Sequence, residues 1–342
     1  MPLAGKNPPV LAITMGDVNG VGPEIIAKAL ARPEPWQCCR PVVFGSPRAL
    51  EGALRFAPAC PPPRHVADLD GALRVEDAVP VIDCGCPGPE PRPGMLDASA
   101  GAAAVAWIEA AVGACMAGDV AGMVTCPISK EGIILAGSKF TGHTSMIAHM
   151  TKSPDYRMCL FTDTMRIIHI TAHLSLRDAV SAVKKGRILS SIRTAHDALV
   201  RMGMGHPRIA VAALNPHAGE AGAFGREEIE EIAPAVAAAA AEQIECTGPW
   251  PPDTVFLRMR QGEFDAVIAM YHDQGHIPLK LIAMDEGVNV TLGIPIVRTS
   301  VDHGTAFDIA GTGRAREHSL CAAVGLAARL TGAFSGAAGE GS

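Results

Sequence analysis

Aromatic residues are scarce, 4% of the 342-residue chain, and no stretch gathers basic residues: 29 Lys and Arg stand against 35 Asp and Glu, a net charge of −6. A nucleic-acid-binding surface needs clustered cations, so that class of partner is excluded. A polar-free run of about 20 strongly apolar residues is also missing, which argues against a membrane span. Residues 1–10 lack the charged start and apolar run of a secretory leader. No Cys-x-x-Cys pair occurs among the ten cysteines, and Cys84-Gly-Cys86 stands alone. The thiols therefore read as reduced, in a cytoplasmic protein. What is abundant is small and apolar: 36 glycines in a chain that is 48% hydrophobic. Such a composition suits helices packed closely on sheets rather than a β-sandwich, and the length allows two domains.

Short apolar runs alternate with helical patterns. "VLAIT", "PVVFG", "VPVIDCG" and "AGMVTCP" read as strands; "GPEIIAKALA", "PRALEGALRFA" and the Ala-rich "SAGAAAVAWIEAAVGACMAGD" read as helices. This alternation predicts α/β layers on a largely parallel sheet. The middle differs. "YRMCLFTDTMRIIHITAHL" holds two β-rich runs about "TDT", a hairpin signal, and "SLRDAVSAVKKGRILSSIRTAHDALVRM" reads as one long helix. Ser175 with Asp178 resembles a capping box at its start. The strand "RIAVAALNP", the helix "REEIEEIAPAVAAAAAEQ" and the strand "FDAVIAMY" follow.

Polar residues gather where these strands end, the place at which open α/β sheets build sites. "TMGDVNGVGPE", "FTGHTSM", "HITAHLSL", "LNPHAGEAGAFG" and "MYHDQGHIPLK" stand out. Three of them put a histidine just after an apolar run: His173, His217 and His272. Each alone reads as a solvated surface residue; together, three neutral imidazoles can converge on one divalent ion. Spacing alone leaves both readings open. Gly16, Gly20 and Gly22 fit neither the G-x-G-x-x-G fingerprint nor a Walker loop, so they read as a tight strand-to-helix turn. "TSVDHGTAFDIAG" offers a loop that can wrap an adenosine or pack on its own domain.

"GDVNGVGPE", "FTGHT", "LNPHAGE", "MYHDQG" and "GVNVTLGIPIVRTSVDHGTA", in this order over about residues 10 to 330, closely resemble the 4-hydroxythreonine-4-phosphate dehydrogenase family of pyridoxal phosphate biosynthesis. That family is in turn similar to isocitrate and isopropylmalate dehydrogenases. The resemblance implies two α/β/α domains around a cleft. Residues 1–125 and 298–342 would bind the cofactor; residues 126–297 would bind metal and substrate and form a homodimer with a shared active site. It implies His173, His217 and His272 as ligands of one divalent ion (Zn, Mg, Co or Mn), and His143, Thr144, Lys280, Asn289 and Arg298 as substrate contacts. Lys280, Asp253 and Asp273 are the catalytic candidates. His303, Gly304, Thr305 and Asp308 are placed against the adenosine half of NAD or NADP. The implied reaction is oxidation of a secondary alcohol followed by loss of carbon dioxide from the keto acid.

The chain departs from the biosynthetic pattern at Val18-Asn19, Cys126 and Ser129. "IIHITAHLSLRDAV" looks more like the branch acting on 4-phosphorylated threonate or erythronate. A third branch oxidises the cis-dihydrodiol of terephthalate. Outside the family, a phosphate acyltransferase of distantly similar fold and a catalytically silent metal-binding scaffold are the rival classes. No nucleic-acid or membrane partner is expected.

Overall fold

The computed structural model describes residues 8–283 and 287–337. The chain forms two compact units. One runs up to Pro154 and resumes at Ile294–Ser335; the other is Asp155–Gly293.

In the first unit, β1 (Val10–Thr14) leads into α1 (Gly22–Leu30), α2 (Pro33–Cys38), β2 (Arg40–Phe44), α3 (Pro47–Ala53), β3 (Pro63–His65), α4 (Leu69–Ala72), β4 (Val79–Ile82), α5 (Ala98–Ala117), β5 (Gly122–Thr125), α6 (Lys130–Leu135) and α7 (His143–Met150). Its strands are ordered β3-β4-β2-β1-β5 and all run parallel, which requires crossover connections between them. The turn after β1 needs glycine twice: a Cβ on Gly16, at φ +71°, would fall 2.1 Å from the Pro127 carbonyl oxygen, and one on Gly22 2.1 Å from that of Met15.

α5 is long and apolar enough by composition to cross a membrane, although with Ser99 and Glu109 it is not the polar-free run that the sequence lacks. Half of its apolar window is buried: Trp107 and Ile108 are fully enclosed, and a Cβ on Gly101 would lie 2.2 Å from the Gly132 carbonyl. This is a core helix in backbone contact with α6. Such contacts keep residues 126–154 with the first unit, whereas the sequence had placed them with the second.

The second unit begins with β6 (Arg157–Phe161) and β7 (Arg166–His169), the expected hairpin about Thr162–Thr164. Then come α8 (Leu176–Ala182), α9 (Lys185–Arg201), β8 (Ile209–Ala212), α10 (Ala233–Ala241), β9 (Cys246–Trp250), α11 (Val255–Arg260), β10 (Ala266–Ala269), α12 (His272–Ala283) and β11 (Val288–Leu292). The order is β11-β6-β7-β10-β8-β9, antiparallel across the first two pairs and parallel thereafter. Back in the first unit, β12 (Val297–Val301) pairs parallel with β5, and α13 (His318–Ala337) closes the fold.

Two helical readings are corrected. The long helix after Ser175 is two: Ser175 caps α8 through Asp178 N, but Val183 and Lys184 are extended, and α9 restarts where Glu231 accepts from Lys185 N at 2.7 Å. The "REEIEEI" segment is a π-helical turn over Glu228–Ile232 before α10, which begins beside Pro234, a residue with no N–H to donate.

Candidate functional site

At the end of β1, Asp17 is fully buried. One carboxylate oxygen accepts from Asn19 N at 2.9 Å; among the described residues the other has no hydrogen-bond partner, nor has the hydroxyl of Thr14. Burial pushes the carboxyl up from 3.8 to about 6, against the Asn19 N–H and aided by Asp97. Sequence reasoning missed Asp17; its one signal was an acid inside a glycine turn.

Arg298, on β12, is 2% exposed and donates to Thr125 Oγ1 at 2.8 Å. Burial lowers its guanidinium to about 10, so it stays charged at neutral pH. His143 opens α7 with Thr144 beside it, and its Nε2 is enclosed without a partner. Burial and then the Arg298 charge hold this imidazole well below 6.5, in its neutral form. A buried cation near a neutral ring with an unused nitrogen is an arrangement suited to an oxyanion that also offers a polar hydrogen-bonding group.

His303, Gly304 and Asp308 are exposed in the loop after β12, and Thr305 is half-buried. The Thr305 carbonyl accepts from Val21 N at 3.0 Å, an approach left open by Gly20. Just beyond, Glu24 accepts from Ala315 N at 2.9 Å while Lys28 donates to the Gly313 and Ala315 carbonyls, clamping the chain to α1. A cavity of about 450 Å³ opens here, lined by Val18, Gly20, Arg48, Arg55, Pro93 and Gly311. Its volume is in the range of small-molecule sites.

In the second unit, His272 and His276 lie one turn apart on α12 with rings stacked at 3.6 Å and 11°. His169 stands 4.8 Å from the His276 ring, and His173 5.9 Å from that of His272. His272 Nδ1 is 2.7 Å from the Asp273 carboxylate, which is held below its ordinary value chiefly by that bond. Burial brings His169 to about 3 and His276 to about 4, so both are neutral. Both lie in stretches singled out from sequence, but neither was given a role there.

His217 is exposed and has a ring contact with Phe224, 6.4 Å away, rather than with His173 or His272. It begins five consecutive left-handed residues, with φ of 53°, 56°, 78°, 43° and 54° through Ala221. Four of the five carry a Cβ, a conformation that costs about 1–2 kcal/mol per residue. The loop is pinned from below by buried Glu228, which accepts from Leu214 N and Asn215 N at 2.9 and 2.8 Å. Strain held in place by buried contacts is a recurrent mark of functional loops. Among the described residues no three His, Cys, Asp or Glu side chains are placed to hold one ion. Asp253 is exposed before α11; Lys280 is half-buried in the last turn of α12; Asn289, on β11, has an enclosed Oδ1 with no partner.

Strands whose ends carry buried charge and a cavity in the first unit, and neutral imidazoles in the second, suit an α/β enzyme, and the relatives of the chain are dehydrogenases. The chain belongs to the family described as pyridoxal phosphate biosynthetic protein PdxA, which matches residues 37–327. It is 46% identical over 328 residues to a 4-hydroxythreonine-4-phosphate dehydrogenase of Desulfosudis oleivorans, covering 93% of this chain and 95% of that one. It is 45% identical over 324 residues to a D-threonate 4-phosphate dehydrogenase of Cupriavidus necator, with 94% and 97% covered. A crystal structure of a 4-hydroxythreonine-4-phosphate dehydrogenase from Klebsiella pneumoniae superposes with a TM-score of 0.84 at 43% identity, covering 94% and 99%.

Proposed function

We propose that the chain is a divalent-metal- and NAD(P)-dependent dehydrogenase. It oxidises the secondary alcohol of a small 4-phosphorylated hydroxy acid, of the 4-phosphohydroxy-L-threonine type, and the keto acid then loses carbon dioxide. One observation carries this reading: over nearly the whole chain, relatives at 46% and 45% identity bear names that share a 4-phosphorylated hydroxy acid. D-threonate or D-erythronate 4-phosphate is the second reading, favoured by the "IIHITAHLSLRDAV" segment.

His173, His217 and His272 would hold the ion. Their donor chemistry fits, because neutral imidazoles suit zinc and its neighbours, and Asp273 holds His272 through Nδ1 in the manner of a supported ligand. Their placement is incomplete, since of the three only His173 and His272 have rings near each other. A bound divalent ion supplies Lewis acidity that lowers the pKa of an alcohol. Arg298, with His143 and Thr144 nearby in the first unit, and Lys280 and Asn289 in the second, would bind the substrate's oxyanions. Lys280, Asp253 and Asp273 are the candidates for moving the proton; of these Lys280 shares a helix face with His272 and His276. The His303–Asp308 loop would take the adenosine half of NAD or NADP; the cavity is lined by other residues, among them Gly20 and Gly311. A homodimer and a cytoplasmic location complete the reading.

The test is absorbance at 340 nm with NAD or NADP, a divalent ion and four substrates: 4-phosphohydroxythreonine, D-threonate 4-phosphate, D-erythronate 4-phosphate and a cis-dihydrodiol. Turnover of a phosphorylated acid supports the proposal; turnover of the dihydrodiol alone overturns it.

A further inference from the structure

Beyond the residues assigned so far, the pair His169 and His276 sits among acceptors that favour one placement of its protons. His169 Nδ1 lies 3.2 Å from the Met158 carbonyl oxygen. A carbonyl only accepts, so this nitrogen carries the hydrogen and Nε2 keeps a lone pair. That lone pair faces His276 Nδ1 at 3.2 Å, and the same Nδ1 lies 3.0 Å from the His272 carbonyl oxygen. Both neighbours are acceptors, so His276 Nδ1 is the N–H and its Nε2 is an acceptor. No hydrogen bond reaches that Nε2 among the described residues. Gly275 makes room for the arrangement: a Cβ there would sit 2.5 Å from His169 Nε2.

The stack with His272 narrows what His276 can do. Imidazole lone pairs lie in the ring plane, and these planes are 11° from parallel with centroids 3.6 Å apart. The two rings therefore direct their in-plane lone pairs along separate, nearly parallel planes rather than at one point. The open Nε2 is suited to receive a hydrogen bond from a ligand held beside His272.

We propose that His276 is a substrate-contacting residue, locked by His169 and the His272 carbonyl so that its Nε2 accepts a hydrogen bond from a hydroxyl of the bound hydroxy acid. This rests on the reading of the surrounding residues as a dehydrogenase site. It makes His169 a positioning residue, acting only through His276.

Two substitutions separate contact from scaffolding. His276→Asn retains an N–H near the Nδ1 position but has no acceptor at Nε2; His276→Gln places a carbonyl oxygen near Nε2 but loses the Nδ1 donor. The inference expects Asn to raise the KM of the preferred substrate about tenfold or more with Tm nearly unchanged. Gln should stay within about threefold in KM and lose thermal stability. A purely structural residue gives the opposite order, and that result overturns the proposal. Spectra of the full chain labelled with 15N at histidine should show both rings as the Nδ1–H tautomer without reference to activity, and an Nε2–H tautomer at His276 overturns it equally. Turnover by the unmodified protein tests the dehydrogenase reading separately from the order of the variants.

Discussion

At the scale of single residues, the site is defined by ionisable groups taken out of water. Arg298 stays charged because even its lowered value of about 10 is far above neutrality. Arg298→Ala should raise the KM for a phosphorylated substrate about tenfold or more, the loss of one charge-assisted hydrogen bond, and initial-rate kinetics measure it. Asp17 makes a pH prediction. Its folded value of about 6 lies above the ordinary 3.8, so the folded state holds a proton that the unfolded state has already released. The stabilisation from this group is full below about pH 3.8 and is lost as pH rises through 6. Asp17→Asn does not titrate. Between pH 4 and pH 7.5 the unmodified protein should therefore lose up to about 3 kcal/mol relative to that variant in denaturant unfolding. Parallel pH profiles would place the Asp17 carboxyl at an ordinary value.

At the scale of elements, α12 sets His272, His276 and Lys280 on one face by their i, i+4, i+8 spacing. Gly275 sits in the same helix with no helical need for glycine, and alanine in a helix interior ordinarily gains about 1 kcal/mol. Here a Cβ meets His169 Nε2 at 2.5 Å and Ile167 Cγ2 at 2.6 Å. Gly275→Ala should thus destabilise, by about 1–3 kcal/mol, and urea titration gives the sign directly. The strands, the Thr162–Thr164 hairpin and the Ser175 cap were legible because period and turn chemistry are local. The break between α8 and α9 was not, since the nearby Gly186 falls inside α9 rather than at the extended Val183–Lys184, where Glu231 binds Lys185 N from 46 residues away. The strand-end histidines were legible as a pattern. The His169–His276 contact spans 107 residues and the left-handed run from His217 carries side chains no turn rule would place there.

At the scale of the whole molecule, the second unit leaves large apolar side chains in water: Leu281 is 82% exposed, Leu176 61%, Ile277 57%, Phe224 56% and Leu174 51%. Three belong to α12 or α8 and the others lie beside His173 and His217, so apolar surface is left bare around the proposed ion ligands, as it is elsewhere at Leu135, Met95 and Leu257. A face of this kind is expected to be covered by another chain, and the homodimer proposed above supplies one. Leu281, the most exposed of them, is the place to break it without touching a proposed ligand. Sedimentation velocity at micromolar concentration should show a dimer, and Leu281→Asp should shift it to monomer, because a carboxylate buried opposite apolar atoms costs several kcal/mol. If the active site is shared, turnover should fall at least tenfold in the same variant and recover in part as protein concentration rises. A monomeric unmodified protein would remove the dimer from the reading, and a monomeric Leu281→Asp variant with full turnover would show that each chain carries a complete site of its own.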